Sequence, residues 1–254
     1  MRLAIFSAFP HEIERLLRDL RPVEKYESHS LPLYFARYRS KELVIVQTGM
    51  GAANTEAALN YVFKDFRPDL LISAGFGGAL YDGASAGDIV CGVRVFLIPS
   101  GLARGRGTGR AEPDSEEVTG AAEIAGRLSG SVQIHQGCIF TLEKHMSKAE
   151  IRKVLPEGLP FPVCDMETFF LVRGAKDAGL PVICLRAVTD RADEEIPEEF
   201  LRVTDESGKY RLSLAVRLIL GRPKIIGRIF SIGMNARTAS NNLSRAVKSL
   251  IEVL

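Results

Sequence analysis

Several acidic side chains in this sequence stand directly after apolar stretches. At the carboxyl ends of sheet strands such groups face ligands. Asp190 follows the apolar run 181–188 by two residues. Partial desolvation there disfavours the charged form, so Asp190 is expected to hold a proton, as a general acid must. A helix N-cap is its ordinary structural role. Glu12 follows the first apolar run by a few residues and can serve as a base at the sheet mouth. Its ordinary role is a first-turn acid that the helix dipole favours. Asp165 and Glu167 open a further helix and bring more carboxylates to the same edge.

Two glycine clusters flank these acids. Thr48-Gly49-Met50-Gly51-Ala52-Ala53-Asn54 is Gly-x-Gly-x-x-Asn, a near miss of the dinucleotide fingerprint. Its third glycine is absent, and Asp69 precedes the next strand instead of ending it, so no nicotinamide site is read here. Such glycines still let a ligand approach the backbone and a helix N-terminus. Ser73-Ala74-Gly75-Phe76-Gly77-Gly78 ends another apolar run. It either makes room for a ring or an anion, or marks a bulge or tight turn.

The elements that must position these residues alternate. Strands are expected at 2–7, 33–39, 42–48, 69–74, 88–97, 132–140 and 181–188. Helices are expected from Pro10, then at 52–65, 115–129, 147–154 and 166–178. Strands apolar on both faces and separated by helices imply an α/β fold: a mainly parallel sheet between two helical layers. Residues 1–254 read as one domain, with 195–254 as a helical, basic C-terminal extension. Residues 101–110, rich in glycine and arginine, read as a mobile loop.

Composition narrows the class. The chain has 254 residues, 46% apolar and 25% charged, ordinary values for a globular domain. Cys91, Cys138, Cys164 and Cys184 form no CxxC and read as small buried hydrophobes in a reducing compartment. The four histidines show no ligand spacing, so no metal site is expected. No apolar run reaches the roughly 18 residues needed to span a bilayer, and a cytoplasmic protein is expected. From Gly208 onward nine Lys or Arg face one acid, Glu252. With only Tyr210 and Phe230 as aromatics, that tail does not read as a nucleic-acid surface.

Taken in order, these motifs resemble the superfamily of purine nucleoside phosphorylases and methylthioadenosine/adenosylhomocysteine nucleosidases. The resemblance runs over most of residues 1–193. It rests on Ala8-x-x-x-Glu12, Gly49-Met50-Gly51, Gly75-Phe76-Gly77-Gly78, Gly87-Asp88-Ile89-Val90, Asp165-Met166-Glu167 and Arg186-Ala187-Val188-Thr189-Asp190. It implies a nucleoside phosphorylase-like three-layer fold and an enzyme that cleaves an N-glycosidic bond. Asp190 matches the acid at the purine imidazole nitrogen, and Glu167 the acid on the ribose hydroxyls. Met166 matches the residue under the sugar, Arg186 the arginine beside the ribose, and Glu12 the carboxylate that activates water. Gly75, Phe76 and Gly77 fall at the substrate.

Two departures matter. The phosphorylases carry a Gly-Asp-Pro-x-Arg loop and an arginine before the glycine-rich strand end. Here those places read Phe9-Pro10-His11-Glu12 and Leu71-Ile72-Ser73. Hydrolysis is therefore expected, with no cofactor. Phosphorolysis, with inorganic phosphate, stays open through an arginine of 101–110 or of a partner subunit. The segment where the nucleosidases place an aromatic on adenine reads Thr141-Leu142-Glu143-Lys144-His145-Met146, so His145 or Met146 is expected at the base.

The tail is similar to the extension of the hopanoid-associated nucleosidase branch, which implies adenine release from adenosylhopane. The basic extension then suggests peripheral contact with the inner face of a membrane; a helix pair packed on the sheet is the plainer reading. Soluble nucleosides (methylthioadenosine, adenosylhomocysteine or futalosine) are the alternative substrates, and a non-catalytic nucleoside-binding module is the remote one. The resemblance also implies a homo-oligomer.

Overall fold

The structure is a computed structural model that describes residues 1–22, 24–28, 31–100, 113–128, 132–195 and 226–254. The loop expected at 101–110 and half of the basic extension, 196–225, lie outside the described residues. Ten strands and six helices follow one another: β1 (Arg2–Ser7), α1 (Pro10–Leu20), β2 (Glu24–Ser28), β3 (Leu31–Tyr38), β4 (Lys41–Gln47), α2 (Ala52–Asp65), β5 (Leu70–Ala79), β6 (Ile89–Ile98), β7 (Ser115–Glu117), α3 (Ala121–Arg127), β8 (Ile134–Leu142), α4 (Lys148–Arg152), β9 (Val163–Asp165), α5 (Thr168–Asp177), β10 (Val182–Asp190) and α6 (Ile226–Val253), all counted among the described residues.

The nearly continuous apolar strands β1, β4, β5 and β10 pair in parallel, as both-face burial requires. Antiparallel pairs occur where β10 meets β6, where β5 meets β9, and at the β2–β3–β4 edge. Because β5 pairs with both β10 and β9, the sheet closes into a ring through β6 and β8. The hydrophobic pattern does not announce that closure.

Three short strands escape the pattern. β2 and β7 are charged pieces with little apolar alternation, and β9 has three residues. The helix expected at 115–129 is β7 followed by α3. The Gly75–Gly78 segment is not a turn but the continuing half of β5, and the irregularity beside it falls on the partner strand β10, where the register shifts between Val188 and Asp190 opposite Gly77 and Gly78. None of the segment's glycines has a positive φ. They are needed for want of space: a Cβ on Gly75 would lie 3.0 Å from the Glu12 carboxylate, and one on Gly78 would lie 2.8 Å from Asp190 Oδ2.

The last helix returns to the first. α6 buries Ala239, Leu243, Ala246, Val247, Leu250 and Ile251 and packs on α1, β10 and β5. Its polar residues pin neighbours: Asn242 donates to the Gly87 carbonyl at 2.9 Å, and Ser244 donates to Asp19 at 3.1 Å. Among the described residues, the C-terminal half of the extension is therefore a packed helix that leaves Arg237 and Arg245 in solvent. No described helix is long and apolar enough to cross a membrane.

Candidate active site

Glu12 sits in the first turn of α1 and is buried. Its Oε2 accepts from the Phe9 amide at 2.8 Å, so it does cap its own helix start. The same oxygen accepts from the Ser7 hydroxyl at 2.6 Å, and Oε1 accepts from the Phe76 amide at 2.7 Å. Three donors from β1, the β1–α1 turn and β5 thus fix one carboxylate at the mouth of the sheet. Beside it opens a small cavity lined by Ser7, Thr48, Ser73, Gly75, Phe76, Glu167 and Arg186, among others. The rings of Phe9, His11 and Phe76 stand in series next to it, at 5.4 Å spacing.

Glu167 precedes α5 and reaches across to the glycine loop, where Oε1 accepts from the Gly51 amide at 2.9 Å. Gly51 has φ 89°, a conformation that glycine adopts freely, and this exposes its N–H. Burial pushes the Glu167 carboxyl up to about 8; the neighbouring Asp165 and Glu12 charges push the same way, while the Gly51 hydrogen bond and Arg186 oppose. Burial thus favours the neutral form of the Glu167 carboxyl.

Arg186 lines the cavity on β10, but its charge is already engaged. Its Nε donates to Asp165 Oδ2 at 2.8 Å, and the two form a buried ion pair. Its other nitrogens donate to Ser73 Oγ at 2.8 Å, Thr168 Oγ1 at 2.5 Å and the Leu185 carbonyl at 2.9 Å. Asp165 in turn accepts from Thr141 at 2.7 Å and from Thr168. Asp165, expected at the substrate, lies behind Arg186 as its counter-ion and is not among the lining residues.

Asp190 faces Gly78, three residues along β5 from Gly75. It is buried, yet it meets a cation: Lys148, at the start of α4, forms an ion pair with Oδ2. Oδ1 accepts from Thr189 at 2.6 Å. Asp190 is thus not the lone carboxyl that its place after an apolar strand suggests, because Lys148 stands against it. Cys164 closes this end, with its sulfur 3.3 Å from where a Gly78 Cβ would lie, and burial holds its thiol up at about 12.

Glu12, Glu167, Arg186, Gly75 and Phe76 thus meet at one cavity. Gly77 lies on the same strand, backed by the Cys164 carbonyl. Met166 packs against a second apolar cluster beside Leu80 and Phe140, and Met146 is buried within that cluster. His145 is exposed. Neither His145 nor Met146 lines the cavity, because the chain turns between β8 and α4 and sends Lys148 inward instead. Sequence reasoning also missed Ser73, whose hydroxyl is one more β5 residue in an apolar strand. It missed Lys148 too: a lysine in the first turn of a short helix ordinarily points to solvent, and no signal in the pattern separates this one.

The chain belongs to the phosphorylase superfamily, which it matches over residues 2–220, and it is an enzyme. It is 21% identical, over 86% of its length and 99% of the relative's, to the 5′-methylthioadenosine/S-adenosylhomocysteine nucleosidase of Shewanella loihica. It is 24% identical, over 86% of its length and 98% of the relative's, to the aminodeoxyfutalosine nucleosidase of Campylobacter jejuni. Among solved structures, the 5′-methylthioadenosine/S-adenosylhomocysteine nucleosidase of Neisseria meningitidis in complex with methylthio-immucillin-A superimposes with a TM-score of 0.72 at 22% identity, covering 100% of this chain and 99% of that one. The futalosine hydrolase of Helicobacter pylori gives 0.73 at 14% identity, covering 100% and 98%.

Proposed function

We propose that this chain hydrolyses the N-glycosidic bond of an adenosyl nucleoside and releases adenine. The observation that carries the reading is the state of charge around Glu12. Its carboxylate is fixed at a cavity where Arg186, the one cation among the described lining residues, is already paired with Asp165. An incoming phosphate would meet carboxylates and no free positive charge, whereas water needs a base held in place. Glu12 takes the proton of that water. Glu167, held against the Gly51 amide, grips the ribose hydroxyls, with Met166 beneath the sugar. Asp190 meets the imidazole side of the departing base. The transition state of glycoside cleavage is oxocarbenium-like, and carboxylates beside the sugar stabilise its positive charge.

The finer reading is that the substrate is an adenosylated lipid such as adenosylhopane. The Phe9–His11–Phe76 series at the cavity edge offers apolar surface for a substituent, and the basic C-terminal extension offers attraction to anionic lipid, roughly 1 kcal/mol for each nearby basic residue. The relatives named above point instead to soluble nucleosides.

One assay separates these readings: adenosine, methylthioadenosine and an adenosylated lipid are each incubated with the protein, with and without phosphate, and free adenine is followed. Release that is independent of phosphate is expected, and release that requires phosphate sinks the hydrolysis reading. Preference for the lipid, together with weaker binding of anionic liposomes by a chain ending near Asp205 than by the full chain, supports the membrane role. Equal liposome binding by the two excludes it.

A further inference from the structure

At the Gly78 end of β5 both carboxylate oxygens of Asp190 are already engaged. Oδ1 accepts from Thr189, and Oδ2 accepts from Lys148. Both oxygens are acceptors, so the acid in this pair is the ammonium. An ammonium has three N–H groups, and here three acceptors meet them: Asp190 Oδ2, the Asp190 carbonyl at 3.2 Å, and the Arg191 carbonyl. Two belong to the last residue of β10 and the third to the residue that follows it. Lys148 is buried, and its backbone N–H is held by Glu195 at 2.8 Å, so the side chain is built into place.

We infer that Lys148 supplies, through Asp190, the proton that the departing base takes up. This rests on the glycosidase reading above. As the bond between C1′ and the base breaks, its electron pair leaves with the base. A ring nitrogen of the base takes a proton from Asp190 Oδ2, which takes one from Lys148 Nζ. Water adds to C1′ and gives its proton to Glu12. Glu12 returns a proton to solvent, solvent restores the ammonium, and the cycle closes with one water consumed. Lys148 acts through Asp190 and is a positioning and proton-supplying residue. A lysine suits the task because it can give up a proton, which a guanidinium does not.

The test compares Lys148→Met and Lys148→Arg with wild type on two kinds of substrate. The first kind comprises adenosine, methylthioadenosine and the adenosylated lipid. The second is 4-nitrophenyl riboside, whose nitrophenolate leaves without a proton. Both variants are expected to lose at least about a hundredfold in adenine release, the usual worth of a placed acid, while turnover of the nitrophenyl riboside stays within about threefold. Lys148→Arg carries the test if Lys148→Met does not fold, since arginine keeps the positive charge. Wild-type adenine release by Lys148→Arg would show that charge alone suffices and overturn the inference. An equal fall on both kinds of substrate would assign Lys148 a structural role and overturn it as well. Wild-type protein that releases adenine from none of the first set overturns the glycosidase reading, and this role with it.

Discussion

Two places three residues apart on one strand give their carboxylates opposite company. At Gly75, Glu12 and Glu167 share a cavity in which Arg186 is spent on Asp165, and burial, helped by the neighbouring carboxylates, pushes Glu167 toward its neutral form. At Gly78, Asp190 has a lysine to itself. The strand is the same and the residues are three positions apart, yet the partners differ: backbone amides hold the carboxylates at one place and an ammonium meets one at the other. Environments that divide titratable groups in this way also divide their roles.

The comparison breaks first in turnover. Glu12→Gln and Asp190→Asn are each expected to lower kcat by about 10²–10⁴-fold, as the loss of a base or of a proton path does. Full activity of Asp190→Asn would remove Asp190 from the chemistry. Next comes stability at the Gly75 end. Asp165→Ala leaves Arg186 buried and unpaired, and chemical denaturation should show a loss of about 3–5 kcal/mol; a loss below 1 kcal/mol would mean that the pair is not the brace described here.

A smaller effect is expected at Glu167. Its folded carboxyl titrates near 8, above an ordinary value of 4.5. The folded state therefore binds the extra proton, and stability falls as pH rises from about 4.5 to about 8. Glu167→Gln should flatten that fall, by an amount on the order of 2–3 kcal/mol between pH 5 and pH 8. Parallel stability–pH curves for the two proteins would contradict it. Smallest is Ser7→Ala, which takes one donor from Glu12 and should cost about 1.5 kcal/mol in unfolding free energy.

Much of this is legible in the sequence. The strands β1, β4, β5 and β10 announce themselves by apolar runs, and the acids after them by position. Glu12 shows why both readings of a residue can hold at once: it caps α1 and reaches the site. What stayed hidden depends on contacts between distant segments. Asp165 looked like a ligand group until Arg186 was seen against it. Lys148 has no periodicity to reveal it, and His145, three residues earlier and equally polar, drew attention in its place. The ring closure of the sheet escaped because β9 is only three residues long.

The α6 helix has a consequence for how the protein is made. Ser240 reaches back to the carbonyl of Glu12 itself, across 228 positions of sequence, and Lys248 and Ser244 hold Asp19 on the same helix. On the ribosome, α1 emerges early and must wait for the final stretch before its outer face is covered. Until then its apolar surface is open to chaperones and to misassembly.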